Sequence, residues 1–408
     1  MNGILVRLAF CLFVLIGAAG ASASANAQTL ALVGGSVYAS PDAAPVADAV
    51  IVISNGAIAA TGNRNDIRIP SDARLIDCTG KTVVAGFWNS HVHFTQAAWK
   101  NAASASAASL TAHMEEMLTR WGFTTVWDVG SHPDDSLPLR RRVNAGEVLG
   151  PTIYLAGNIF PKDGHPAYLP AELQLPMATT PEEAAQWARL YMQLGLDGIK
   201  LFTGVYKGEG NPVVNMDVTI ARAAIDVAHA LGKPVFAHPQ NSGGLEAVIA
   251  AGVDVMAHTT PQQRGYTPEQ LARFKEQKVA LSPTLSLFSK VPAPPEVIAR
   301  LVDNVVGQLK SFSENGGTVL FGTDVGYTQL YDTTLEYELM RRALSERQIL
   351  ASLTTNPAQY FKAAKKGRVE KDFDADLVVL DGDPLADVTN LAKVAYTIRA
   401  GKVIYQKP

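Results

Sequence analysis

Short apolar segments alternate with helical segments along the middle of this chain, and that alternation constrains the fold more than any other feature. The apolar segments have the length of buried strands, and each is bounded by turn residues or by a helix start. Eight β/α alternations predict a closed parallel (β/α)8 TIM-type barrel, of the α/β class, rather than an open doubly wound sheet. The eight strand candidates are Thr82–Trp88, Thr124–Val129, Thr152–Ala156, Gly198–Phe202, Val235–Ala237, Val253–Ala257, Val279–Ser282 and Val319–Gly322.

The helical segments between these strands carry recognisable start and stop signals. Thr180-Pro181-Glu182-Glu183 combines a capping threonine with a proline at the first helical position, and Thr267-Pro268-Glu269-Gln270 repeats the pattern. Asp217 to Leu231 has apolar residues at helical spacing and is followed by Gly232. These signals support the assignment of helices between successive strands.

Both ends of the chain have β-like patterns instead. The first part contains Leu30–Val33 and Val50–Ile53, which are followed by the turn pairs Gly34-Gly35 and Asn55-Gly56. The last forty residues contain three further apolar segments of strand length, Asp376–Leu380, Val394–Ile398 and Val403–Tyr405. We therefore predict one small composite β-sandwich domain from residues 28–81 and 366–408, bracketing a barrel at 82–365.

Composition excludes several classes of function. The chain of 408 residues is 47% hydrophobic and has a formal net charge of −3, so it has ample apolar content for a folded core. The chain has no excess of basic residues, so its composition gives no reason to expect binding to nucleic acid or to an anionic membrane surface. The expected partner is a small-molecule substrate, and self-association of the chain is left open.

The first 27 residues have the pattern of a secretory signal peptide. Arg7 precedes an unbroken apolar run, Leu8–Ile16, and small residues lead to Ala25-Asn26-Ala27. The run is too short for a membrane-spanning helix, so we predict cleavage after Ala27, no stable membrane insertion, and a periplasmic or secreted protein. Cleavage leaves Cys78 as the single cysteine, which we expect to be a core residue without a disulfide.

Metal-binding side chains are concentrated at the predicted carboxyl ends of barrel strands. A single histidine in a strand is more often a structural residue than a ligand, but barrel enzymes place their reactive groups at these ends. Imidazole and carboxylate together suit zinc or a similar divalent metal. Lys200 is unusual there, because burial of an unpaired ammonium is costly. The candidates are His91, His93, Lys200, His238, His258 and Asp324.

At these strand ends the sequence resembles the amidohydrolase superfamily, in particular its Xaa-Pro dipeptidase and imidazolonepropionase-like branch. The resemblance extends over most of the chain after the signal segment. Residue 89 is Asn where many relatives have Asp, at a position that does not bind metal in them. The segments that carry the resemblance are Gly86–His93, Gly122–Gly130, Ala251–His258, Gly322-Thr323-Asp324 and Asp374–Leu385.

The resemblance implies a centre of two divalent metal ions, with zinc as the expected metal. By carry-over, His91, His93 and Asp324 would bind the first ion, and His238 and His258 the second. Lys200 would be carboxylated by carbon dioxide, and the resulting carbamate would bridge both ions. Asp324 would also act as the catalytic group that moves the proton from the attacking water to the leaving amine.

Substrate identity is less constrained. The leading expectation is hydrolysis of a C–N amide bond in a dipeptide of the Xaa-Pro type or in an N-acyl amino acid. A cyclic amide, imidazolone or lactone remains an alternative, and so does a barrel that binds metal or solute without hydrolysis. Tyr206, Arg264 and Tyr327 lie just past strands four, six and eight and are candidates for contact with a substrate carboxylate. His165 is a fourth candidate for substrate contact, because its loop, residues 162–166, resembles the Gly-Gly-His-Gly-like loop that follows strand three in relatives, without matching it fully.

Overall fold

The computed structural model describes residues 29–166, 169, 176–208 and 210–408, and the predicted signal segment lies outside this part of the chain. One sheet is formed from the two ends of the chain. Its strands are β1 (Leu30–Val37), β2 (Val46–Ser54), β3 (Ala57–Asn63), β4 (Arg74–Asp77), β5 (Thr82–Ala85), β17 (Leu377–Leu380), β18 (Val394–Arg399) and β19 (Lys402–Gln406). Their order in the sheet is β19-β18-β17-β5-β1-β2-β3, with β4 paired to β1.

This terminal sheet encloses a hydrophobic core of its own. Strand β1 pairs antiparallel with β2 along one edge, while β4 and β5 pair in parallel with successive parts of the other edge. Alternate residues of both chain ends, such as Leu32, Ile51 and Leu377, belong to one buried cluster. Cys78 is buried in the same cluster, in agreement with its strand-like surroundings in the sequence.

The predicted parallel barrel is confirmed. Its strands are neighbours in chain order, and every pair is parallel. Backbone hydrogen bonds from Ser90 to Phe321 (2.7 Å) and from His93 to Val325 (2.8 Å) join the first strand to the segment after the last and close the barrel. The barrel strands are β6 (Phe87–Val92), β7 (Phe123–Asp128), β8 (Thr152–Pro161), β10 (Gly198–Leu201), β13 (Val235–Ala237), β14 (Val255–Ala257), β15 (Ala280–Ser282) and β16 (Thr318–Val319).

The first predicted barrel strand is divided between the two sheets. Thr82–Trp88 was expected to be one strand, but β5 pairs with β1 and β17 of the terminal sheet, and the barrel begins only with β6. Gly86 stands between β5 and β6, and its N–H donates to the carbonyl of Asp376. Both halves are fully buried, so no change in apolar pattern marks the change of sheet.

Helices cover the outside of the barrel, and short strands extend two of its loops. The capping threonines predicted from the sequence are confirmed, since Thr180 and Thr267 each accept a hydrogen bond from a first-turn backbone N–H. The short strands are β9 (Met177–Ala178), β11 (Gly204–Val205) and β12 (Val214–Asn215). The helices are α1 (Ala107–Met117), α2 (Pro133–Asn144), α3 (Pro181–Gln193), α4 (Val218–Ala230), α5 (Ser242–Ala251), α6 (Pro268–Gln277), α7 (Pro295–Glu314), α8 (Thr334–Arg341), α9 (Glu346–Leu353) and α10 (Thr355–Tyr360).

Side chains of the barrel strands alternate between two buried layers. Outward residues such as Ile199 and Leu201 join the helices in the larger core, whereas inward residues such as Trp127 and Phe236 fill the barrel. Lys200 lies between Ile199 and Leu201, so its side chain points into the barrel. Among the helices of the described segments, none has the length and apolar character needed to cross a membrane.

Candidate metal centre and active site

Two strands of the barrel place the first predicted metal ligands next to each other. His91 lies in β6, His93 follows that strand, and Asp324 follows β16. The Nε2 atoms of His91 and His93 lie 3.3 and 2.8 Å from Oδ1 of Asp324. One potential ligand atom from each of the three residues lies within 4.8 Å of the corresponding atoms of the other two. This spacing suits three ligands of one ion.

The remaining predicted ligands border the same cavity. The imidazole centroid of His258 lies 4.4 Å from that of His91 and 4.6 Å from that of His238. Lys200 lines the cavity beside them, and Nε2 of His258 lies 4.0 Å from the second oxygen of Asp324. The structure therefore brings all six predicted metal-site residues together, with the Asp324 carboxylate between the two sets of histidines.

The polar atoms of this cluster fit a cation better than they fit one another. Both ring nitrogens of His91 and Oδ1 of Asp324 are buried and make no hydrogen bond of good geometry, although Nε2 of His93 lies 2.8 Å from that oxygen. An unpartnered buried polar atom costs about 1–3 kcal/mol. Lys200 is buried as well, and within the described parts of the chain no hydrogen bond or ion pair involves its ammonium. The donor set of this cavity thus fits metal ions.

The surroundings of these groups favour the protonation states that bind metal, which are neutral histidines and an ionised carboxylate. Burial lowers the pKa of His91 to about 3 and that of His238 to about 4, so both imidazoles are neutral near pH 7. Burial opposes ionisation of Asp324, but the neighbouring His91 and His93 hold its pKa well below the usual range. Burial also lowers the pKa of Lys200 to about 8, against the attraction of Asp324. Neutral imidazoles and an ionised carboxylate are the ligand forms that bind metal.

The backbone takes unusual conformations where it presents these side chains. His258, Thr284 and Asp324 have φ angles of 140°, 47° and 60°, in the region that residues with a side chain seldom occupy. The pairing of β6 with β7 also shifts register twice, between Phe87 and Trp88 and again before Val92. These features break the strict alternation of strand side chains and let both His91 and His258 reach the cavity.

Several residues that the sequence reading did not assign support the cluster. Thr284 Oγ1 lies 2.7 Å from Nδ1 of His258 and donates its own proton to the carbonyl of Pro283. The hydroxyl must therefore accept from Nδ1–H, which leaves the Nε2 lone pair of His258 free to bind metal. Asn89 connects the two ligand strands, because it donates to Thr323 and accepts from the N–H of His91.

Asp128, at the end of β7, supports the segment after β6. Its carboxylate accepts from the hydroxyl of Ser131 at 2.6 Å, and that hydroxyl in turn accepts from the N–H of Phe94. Asp128 ends the second barrel strand, and Thr284 comes two residues after the seventh. A polar residue at the carboxyl end of a barrel strand is the sequence signal that marks both positions.

Aromatic side chains form one wall of the cavity, which encloses about 550 Å³, including space open to solvent at its mouth. Phe160 and Phe202 stack with ring centroids 4.0 Å apart, and Phe202 also lies over the ring of His238. This mixture of apolar and polar lining suits a small organic substrate.

The four predicted substrate-contact residues differ in position. Tyr327 lines the cavity, and His165 packs its ring edge-on against Phe160 of the aromatic wall. Tyr206 and Arg264 are not among the described residues that line it, and Arg264 is exposed. A role in substrate binding remains a prediction for all four.

Comparisons with known proteins agree with the geometry. Residues 82–404 match the amidohydrolase family. The ochratoxinase of Aspergillus niger is 22% identical over 85% of this chain and 80% of its own length. The fold is similar to that of a candidate prolidase from Bifidobacterium longum (TM-score 0.78, 26% identity, 93% of this chain and 95% of that one). It is also similar to that of an Xaa-Pro dipeptidase with bound methionine (TM-score 0.79, 24% identity, 93% and 100%). The barrel, its ligand cluster and these relatives together identify the chain as a metal-dependent hydrolase of the amidohydrolase family.

Proposed function

We propose that this protein binds two divalent metal ions, with zinc as the expected metal, and hydrolyses a C–N amide bond of a small substrate. The observation that carries the proposal is the convergence of four imidazoles, the Asp324 carboxylate and the Lys200 side chain on one cavity. His91, His93 and Asp324 would hold one ion, and His238 and His258 the other. When bound, such ions supply Lewis acidity and lower the pKa of water to near neutrality.

Lys200 would contribute as a carbamate. The ammonium first releases one proton. The neutral amine then adds to carbon dioxide, forming an N–C bond and releasing a second proton, so the side chain changes from a cation to an anion. The buried position of Lys200, without any acceptor for its ammonium in the described structure, supports this change. The anion would then lie among the ligands of both ions.

Asp324 would move the proton during hydrolysis. Its carboxylate lies between the two sets of histidines, and its ionised form is favoured by His91 and His93. As water attacks the substrate carbonyl, Asp324 would accept the proton and later transfer it to the departing amine nitrogen. The C–N bond breaks as the amine leaves with that proton, and the acyl group leaves as a carboxylate.

A dipeptide of the Xaa-Pro type or an N-acyl amino acid is the proposed substrate class. The similarity to a structure described as an Xaa-Pro dipeptidase supports the choice, and so does the small cavity with one aromatic wall. Cyclic amides and lactones are the alternative substrates. The family membership supports hydrolysis over binding without turnover.

The test is turnover by the zinc-loaded protein without residues 1–27 on a panel of dipeptides, N-acyl amino acids, cyclic amides and lactones, followed by product mass. We expect cleavage of linear amides, loss of turnover on chelation, and recovery when zinc is restored. Asp324→Asn is the matched variant, since it keeps the side-chain shape and removes the proton acceptor. Opening of only the cyclic compounds would contradict the proposed substrate class, and turnover that survives chelation would contradict the metal mechanism.

Carboxylation has a separate test. After incubation with ¹³C-bicarbonate, the wild-type protein should show one carbamate carbon resonance that is missing from Lys200→Met. Its absence from metal-loaded wild-type protein would contradict the role proposed for Lys200.

We also propose that the protein acts after export, because residues 1–27 have the pattern of a cleavable signal. Expression of the full chain in a bacterial host should give a periplasmic or secreted product that begins at Gln28. A product in the cytoplasm that retains Met1 would contradict this proposal.

A further inference from the structure

Asn158 is a polar residue of the cavity that neither the metal cluster nor the predicted substrate contacts include. It lies in β8, directly paired with Lys200 of the neighbouring parallel strand β10. Paired residues of parallel strands point to the same face, and the next residue, Ile159, belongs to the outer core. The Asn158 side chain therefore points into the barrel beside Lys200, where it lines the cavity.

The carboxamide of Asn158 has no hydrogen-bond partner in the described structure. Asn158 is only 4% exposed, and its Oδ1 atom is fully buried and unpaired. The Nδ2 atom also makes no hydrogen bond with any described residue, but unlike Oδ1 it is not fully buried. Because Asn158 lines the cavity, Nδ2 is the amide atom that faces it. Buried amides in folded proteins are nearly always paired. An unpaired amide that lines an active-site cavity indicates a partner that arrives with the substrate.

Neighbouring residues hold this amide in a defined place. Tyr191 of α3 donates from its hydroxyl to the backbone carbonyl of Asn158 at 2.8 Å. At Gly130, after β7, an added Cβ would lie 2.6 Å from Nδ2 of Asn158 and 3.1 Å from Cε1 of His93. Because Gly130 has no side chain, the Asn158 amide has space to lie beside His93, one of the predicted metal ligands. Such positioning is what a binding group needs before its ligand arrives.

We propose that Asn158 contacts the substrate and donates a hydrogen bond from Nδ2 to the oxygen of the carbonyl group that is attacked. The inference rests on the proposed amide hydrolysis and deepens it. Charge develops on that oxygen as water adds to the carbonyl carbon, so a fixed donor there stabilises the transition state more than the bound substrate. The position of Asn158 next to Lys200 and His93 places the donor at the reacting group rather than at a distant part of the substrate.

The test compares Asn158→Leu and Asn158→Asp with the zinc-loaded wild-type protein. The leucine has a similar size without hydrogen-bonding atoms, and the aspartate keeps the shape but replaces the donor with an acceptor. On the best-cleaved amide of the panel, both variants should lose about 10²–10³-fold in kcat, with a much smaller change in KM. Zinc content should stay at the wild-type value. Wild-type kcat in either variant, or a loss confined to KM, would overturn the proposal.

Thermal stability separates this inference from the proposed function. A substrate-contacting amide with an unpaired buried oxygen does not stabilise the free protein, so the melting temperature of Asn158→Leu should equal or exceed that of wild type. A melting temperature several degrees lower, or a loss of zinc, would assign Asn158 a structural role and overturn the inference. Melting temperature and zinc content can be measured even if the wild-type protein cleaves no compound in the panel. A lack of cleavage by the wild-type protein would count against the proposed function and not against the role of Asn158.

Discussion

The hydroxyl of Thr284 offers a direct test of how this fold prepares a metal ligand. Thr284 is fully buried and has a φ angle of 47°, and its Oγ1 lies 2.7 Å from Nδ1 of His258. Thr284→Val keeps the branched shape and the backbone strain but removes the acceptor. His258 then loses the contact that fixes which of its ring nitrogens carries the proton, and Nε2 is no longer held ready to bind metal.

The expected size of the effect follows from the contact that is removed. Loss of a partner that orients a metal-binding histidine typically weakens metal affinity about 10–100-fold. That range corresponds to about 1.4–2.7 kcal/mol, close to the cost of leaving one buried polar group without a partner. Thr284→Ser retains the oxygen and removes one methyl group, at a cost to stability of about 1 kcal/mol. Zinc affinity should therefore fall in the valine variant and stay near the wild-type value in the serine variant.

The assay is titration of each metal-free protein with zinc in competition with a chelator. We expect two binding steps in the wild-type protein, and a weakening of one of them in Thr284→Val. If Thr284→Val and Thr284→Ser bind zinc equally, the hydroxyl does not orient His258 and the reasoning fails. A loss of both binding steps together would indicate that Thr284 maintains the whole cavity rather than one ligand.

Two further predictions concern residues near the cavity. Burial raises the pKa of Glu336 from 4.5 to about 7, although its carboxylate accepts from the N–H groups of Leu285 and Ser286. The folded protein thus holds this proton more tightly than the unfolded chain, so the contribution of Glu336 to stability is complete below about pH 4.5 and is lost as the pH rises through 7. In urea unfolding, the free energy of wild type minus that of Glu336→Gln should decrease by about 1–3 kcal/mol from pH 5 to pH 8, and a constant difference would refute the titration. Gly326 has a φ angle of 100°, and a Cβ there would lie 1.7 Å from the carbonyl oxygen of His93, so Gly326→Ala should cost about 3–5 kcal/mol and reduce zinc binding. Gly307→Ala in α7 is the control, because no described atom apart from the adjacent residues and the backbone of its own helix lies within 4 Å of the added Cβ. Equal stability of the two variants would contradict the steric argument.

The alternation of strands and helices could be predicted because it depends on local physics. Each strand is a short buried apolar run, and helix starts such as Thr180 and Thr267 carry their own capping signals. A closed barrel then brings the carboxyl ends of its strands to one mouth, so residues distant in sequence, such as His91 and Asp324, could be expected to lie together. Resemblance to a known superfamily added the expectation of two metals and a carboxylated Lys200.

The details of the site depended on contacts that sequence spacing does not encode. The change from terminal sheet to barrel at Gly86 has no local signal, because both β5 and β6 are buried on both faces. The orientation of His258 depends on a φ angle of 140° and on Thr284, which comes from the next barrel strand along the chain. Such conformations are imposed by the surrounding packing rather than by the preference of the residue itself.

Sequence by itself determined the barrel, its terminal β segments and the six side chains of the candidate metal centre, because periodicity and strand-end position are properties of the chain. Tertiary structure alone decided which polar groups in the cavity are paired. Asn158 is an ordinary strand residue in the sequence, and only the neighbouring Gly130, Lys200 and Tyr191 show that its amide is fixed in place without a partner. Pairing is a relation between atoms brought together by folding, so it cannot be found in the order of residues.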